Sequence, residues 1–151
     1  MSVTPTEREL LTELRDRDEI SRLILTYAHG LDTGDWDTVR GCFTDDAVIE
    51  GSVDTLPIDD VLARSNRLTG TYAANMHVVG NQMIDLDGDI AWVHSYVVAY
   101  HWKATPAGTD DPDNLIAGGR YHDTVRRTES GWRISHRQVS RDWNVGRQPT
   151  M

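Results

Sequence analysis

Near residue 70 the apolar residues of this chain change their period, and that change constrains the fold more than any other feature. Before it, Leu10, Leu11, Leu14, Leu23, Ile24 and Tyr27 recur at helical spacing with charges between them. After it, residues 77–85 and 89–102 are β-rich runs joined by Leu86-Asp87-Gly88, a strong hairpin signal. Residues 115–127 and 132–143 read as two further strands around Glu129-Ser130-Gly131. Helices first and long antiparallel strands afterwards predict an α+β fold. Its expected form is a cone-shaped, curved antiparallel sheet with the N-terminal helices packed on one face, an α+β barrel. Such a cone suits a small apolar ligand. The 151 residues are expected to form one domain, 1–151.

The local signals fill in the helical part. Thr4-Pro5-Thr6-Glu7 reads as a helix entry with Thr4 at the cap. Residues 15–19 are so polar that a break or exposed turn is expected there. Gly30 and Gly34 flank Asp32, and a second helix runs from an Asp35 cap through Trp36, Val39 and Phe43. Asp46 reads as a turn acid, residues 47–50 as a short strand, and Pro57 as the start of a third helix ending near Gly70. Residues 51–57 and the polar loop at 104–114 are expected to shape a pocket mouth.

Composition excludes several function classes. Cys42 is the only cysteine, so neither a disulfide framework nor a cysteine-built zinc module is available. The net charge is −9, and the first sixty residues carry −10 of it against +1 for the rest. An acidic chain without a basic stripe lacks the electrostatic footprint of a nucleic-acid binder. No apolar run approaches the ~18 residues of a membrane span. The first residues show no basic or apolar leader pattern, so a cytoplasmic protein is expected. Lys103 is the only lysine, and a Schiff base would rest on it alone.

No dinucleotide fingerprint, phosphate loop or nucleophile elbow is present. Asp85-x-Asp87-Gly88-Asp89 has the start of a calcium loop, but its twelfth position is Tyr96, where a bidentate Glu is needed. His94 and His101 lie seven apart on one strand and point to opposite faces, so they cannot chelate one metal. No metal and no cofactor are expected.

The segment from Tyr27 to Ala47 is the informative one. Asp32 ends an apolar helix with a glycine two residues away on each side, so its carboxylate can turn inward. D-x-x-D-W-D at 32–37, F-x-x-D-A at 43–47 and N-M-H-x-x-x-N at 75–81 together resemble the SnoaL-like branch of the nuclear-transport-factor-2-like superfamily. The resemblance covers nearly the whole chain and points to the lyases of that branch: scytalone dehydratase, hexachlorocyclohexane dehydrochlorinase and bile-acid dehydratase. It implies an inward Asp32 paired with His77, with Tyr27, Arg137 and His101 as further site residues. It also implies a homodimer or homotrimer. Leu31 and Gly51 stand where scytalone dehydratase has substrate-binding tyrosines, and Tyr27 where the dehydrochlorinase has lysine. Both departures argue against those two substrates.

The chemistry of such a pair is general. A neutral imidazole removes a proton at pH 7 when a carboxylate on its other nitrogen fixes the tautomer and stabilises the imidazolium. General-base removal of a C–H proton beside a carbonyl contributes roughly 10²–10⁴-fold. The implied function is therefore a cofactor-independent, dehydratase-like lyase acting by β-elimination on a small, largely apolar hydroxylated or ketonic molecule. An isomerase or polyketide cyclase would use the same base, and a non-catalytic ligand-binding or assembly subunit is the alternative of another class. The residues alone leave three positions open. His101 shares a small-residue face with Ala91, Val93, Ser95, Val97 and Ala99, which suits a pocket wall and a packed core equally. Arg137 alternates with Arg133, Ser135, Val139 and Arg141 as an exposed face would. Tyr27 and Asp32 would point about 140° apart unless Gly30 bends or ends the helix.

Overall fold

The computed structural model describes residues 5–104 and 111–147. The expected loop at 104–114 therefore lies in large part outside the described residues. Among the described residues no helix is long and apolar enough to cross a membrane.

Helix α1 (Glu7–Thr33) begins two residues later than expected, at a Thr6 cap. Its hydroxyl accepts the Glu9 N–H at 3.3 Å, and the Glu9 carboxylate accepts the Thr6 N–H at 2.7 Å, which satisfies two donors the helix leaves open. The break expected at residues 15–19 does not occur: the helix is continuous. Ion pairs one turn apart, Glu13 with Arg17 at 2.8 Å and Asp18 with Arg22 at 2.9 Å, let the polar stretch stay helical. Asp16 in its middle is buried, because both its oxygens meet the Arg127 guanidinium, at 2.9 and 2.7 Å.

Gly30 does not end α1. A Cβ there would stand 2.7 Å from the Val39 side chain, so the glycine makes room for α2 (Trp36–Gly41). Helix α1 ends instead at Gly34, whose φ of 70° suits glycine. Asp35 caps α2 as expected, accepting the Thr38 N–H at 3.1 Å. Helix α3 (Ile58–Thr69) follows Pro57.

Among the described residues six strands form one sheet: β1 (Phe43–Glu50), β2 (Thr55–Pro57), β3 (Ala74–Asp87), β4 (Ile90–Trp102), β5 (Leu115–Thr128) and β6 (Gly131–Val145). Their spatial order is β2-β1-β6-β5-β4-β3. The antiparallel expectation holds for every pair except β1–β6, which is parallel, and the sheet is curved but open rather than a closed barrel. Asp46 is not a turn acid: it lies on β1 and pairs with Arg126 at 2.9 Å. The three-residue β2 carries no pattern that a sequence could show.

The core lies between the helices and the inner sheet face. Ile20 and Ile24 of α1 and Ile58 of α3 pack with Phe43, Val93, Val125, Trp132 and Ile134 from the strands. On β4 the inner residues Ala91, Val93, Ser95 and Val97 are buried in alternation, as the strand period predicts.

Candidate active site

Asp32 occupies the last turn of α1, where the helix carries its partial negative charge and has no basic side chain. A carboxylate is disfavoured there and needs donors from elsewhere. Strand β3 supplies them. The His77 N–H donates to both Asp32 oxygens at 3.0 Å, and His77 Nδ1 lies 2.7 Å from Asp32 Oδ1. The side chains are 9% and 22% exposed, so the pair is largely withdrawn from water. A carboxylate at Nδ1 requires a proton on that nitrogen, which leaves Nε2 of the neutral ring as a base.

The β3–β4 register builds the surroundings. Asn75 lies opposite His101 and His77 opposite Ala99, so the two histidines are diagonal neighbours on one sheet face. Their rings meet edge to face at 5.6 Å. His77, Ala99 and His101 line a cavity of about 140 Å³, together with Tyr121 of β5 and with Val139 and Arg141 of β6. Arg141 and Val139 also border an open cleft of about 500 Å³ that residues 51–54, Val61 and Arg64 line from the other side. Burial, helped by the nearby His77 and Arg141, pushes His101 down to about 4 against the opposing pull of Asp32. His101 is therefore neutral at pH 7.

Tyr27 and Arg137 form a different group, and neither lines this cavity. Arg137 is not on an exposed face: it is 1% exposed and bidentate with Asp123, at 2.6 and 2.8 Å. The two residues face each other directly across β5–β6. The guanidinium carbon stands 4.2 Å from the Tyr27 ring centre and 4.0 Å from that of Tyr121. Burial opposes the Arg137 charge, but the Asp123 carboxylate keeps the guanidinium protonated above its ordinary range. Burial also raises the Tyr27 and Tyr121 hydroxyls. With α1 helical through Gly30, Tyr27 turns to Arg137 while Asp32 turns to His77. Tyr121 joins the groups, touching the cavity on one side and Arg137 on the other.

Sequence reasoning missed Tyr121, Arg141 and the contact of Asn75 with His101. The strand alternation placed Arg141 with Arg137, but nothing local marked that face as concave. Tyr121 and Asn75 gain their meaning from cross-strand partners. Among the described residues no cluster of three His, Cys, Asp or Glu side chains stands in metal-binding geometry.

Residues 12–138 match the family model of the SnoaL-like domain. The uncharacterized protein Rv2910c of Mycobacterium tuberculosis is 31% identical over 137 residues, covering 87% of this chain and 90% of that one. A Novosphingobium aromaticivorans protein provisionally named a scytalone dehydratase has a TM-score of 0.78 at 22% identity, over 92% of each chain. The type 2 hexachlorocyclohexane dehydrochlorinase LinA has a TM-score of 0.75 at 15% identity, over 92% of this chain and 97% of its own. At those identities the two structures share the fold. The match across residues 12–138 and the Rv2910c identity place this chain in the family of SnoaL-like domains.

Proposed function

We propose that this chain is a cofactor-independent lyase that performs β-elimination, a dehydration, on a small hydroxylated ketone. The observation that carries the reading is the Asp32–His77 pair, with Nδ1 held at 2.7 Å from the carboxylate and the ring set in a cavity wall. His77 Nε2 removes the proton beside the carbonyl, and Asp32 stabilises the imidazolium. The electron pair left on carbon expels the β-hydroxyl, which takes the proton back from His77 and leaves as water. Arg141 is the cation of the cavity wall suited to polarise the carbonyl oxygen. Tyr27 and Arg137 act behind the wall, through Tyr121, as positioning residues rather than contacts of substrate. The names of the two structural neighbours, a dehydratase and a dehydrochlorinase, support an elimination. Association into a homodimer or homotrimer belongs to the same proposal, and sedimentation velocity checks it.

A cavity of about 140 Å³ limits the buried part of the substrate to a single ring, since ~150 Å³ accommodates benzene. The test is turnover on a panel of small hydroxyketones. His77→Ala and Asp32→Asn should fold normally and lose turnover at least tenfold. Undiminished turnover in both variants contradicts the assignment. An isomerase or cyclase shares the first proton transfer, and product analysis separates it from dehydration.

A further inference from the structure

The second histidine of the cavity is held as firmly as the first, by a residue to which the proposed elimination gives no role. His101 Nδ1 lies 2.6 Å from the side-chain oxygen of Asn75, its partner directly across β3–β4. One face of the His101 ring lies against Tyr72, with centres 5.0 Å apart and planes 31° apart, and the His77 ring meets it edge to face. Tyr72 is itself buried, with the Lys103 ammonium 4.6 Å above its ring centre. Three neighbours therefore fix the position and the rotation of the imidazole.

A carboxamide oxygen only accepts hydrogen bonds, so the proton of neutral His101 sits on Nδ1 and the lone pair on Nε2. His77 obeys the same logic through Asp32. The two rings line one small cavity, whose other walls combine Val97, Ala99, Ala117 and Val139 with Tyr121, Ser140 and Arg141. An imidazole lone pair on such a wall favours a ligand that brings a donor over one that brings another lone pair.

We propose that Asn75 is a positioning residue that fixes His101 as the hydrogen-bond acceptor of the cavity, making the site selective for ligands with a hydroxyl donor over isosteres without one. The hydroxyl of the bound molecule donates to His101 Nε2. A halogen or a methoxy group at the same place would set lone pair against lone pair. The inference rests on the cavity being the substrate site, but not on His77 acting as a base. The charged and titratable groups around His101 are His77 on β3, Asp32 on α1, Arg141 on β6, and Tyr72 and Lys103 beside β3 and β4. Burial first, with His77 and Arg141 outweighing Asp32, leaves the ring neutral, as the acceptor role requires.

Nitrogen-15 NMR of the histidine rings tests the proposal, with phenol and chlorobenzene as ring-sized probes. At pH 7 wild-type His101 should show the Nδ1–H tautomer, and phenol should shift its Nε2 and bind at least tenfold tighter than chlorobenzene. In Asn75→Ala the two tautomers should mix, and the preference should fall below threefold. Asn75→Asp, nearly the same shape, should keep the tautomer and raise the pH at which His101 protonates from about 4. His77→Ala should retain the phenol preference even as turnover is lost, which separates this proposal from the catalytic one. An Nε2–H tautomer in the wild type overturns the proposal. So does equal binding of the two probes, failure of both to bind, or an Asn75→Ala protein that keeps the full preference.

Discussion

Asp32 is a carboxylate at the wrong end of a helix, and the donors that compensate it belong to the residue it orients. His77 offers both its backbone N–H and its ring to the same carboxylate. The glycines around Asp32 were visible in the sequence, and the family resemblance named His77. The contact between them is a fact of tertiary structure 45 residues apart. Arg137 shows the opposite case. Alternating with Arg133 and Arg141, it reads as exposed, yet it is buried because Asp123 lies directly opposite on β5. Removing one member of a fully buried pair strands the other charge. Asp123→Ala should therefore cost about 3–5 kcal/mol, measured by urea unfolding, and should loosen the Tyr121 wall of the cavity. Replacing a single exposed partner, as in Arg22→Ala against Asp18, should cost less than about 1 kcal/mol in the same assay.

At the scale of elements, the period change near residue 70 was enough to place the long strands, and Asp35 was enough to start α2. The middle of α1 is not legible, because a polar run signals exposure whether or not a distant partner buries one of its members. Asp16 is polar and buried together, satisfied by Arg127 and by the Trp132 indole at 3.4 Å. That pairing has a pH consequence. The hydrogen bonds from Arg127 hold the Asp16 carboxyl below its ordinary value against the effect of burial. The unfolded chain then takes up this proton first as pH falls, so the stability from Asp16 is complete above about pH 4 and is lost in acid below it. Asp16→Asn should lower stability at pH 7 by about 1–3 kcal/mol and flatten the acid limb of the stability profile. Thermal unfolding between pH 2.5 and 7 checks both effects, and an unchanged acid limb would contradict the assignment.

At the scale of the whole molecule, the open sheet and the helices set the dyad and the second histidine in one small cavity. Two glycines shape its far wall. A Cβ at Gly118 would collide with the Trp143 ring, and one at Gly119 with the Ser140 carbonyl, where the β5–β6 register shifts. Gly118→Ala should displace Trp143 and alter the cavity while leaving Asp32 and His77 in contact, a change that probe affinity reads directly. None of this was legible in the sequence, since curvature and strand register emerge only when the strands pair. The acidic first sixty residues are likewise sorted only by the fold: most of those carboxylates face water, while Asp16 and Asp32 turn inward to partners.

The central claim, that His77 oriented by Asp32 removes a proton from carbon, is independent of what leaves afterwards. Deuterium incorporation beside the carbonyl of small cyclic ketones in heavy water, followed by proton NMR, measures that step alone. The wild-type protein should accelerate exchange over buffer. His77→Ala and Asp32→Asn should reduce that acceleration at least tenfold, while Asn75→Ala retains most of it. Exchange at the wild-type rate in His77→Ala, or no acceleration for any ketone that binds the cavity, would contradict the account.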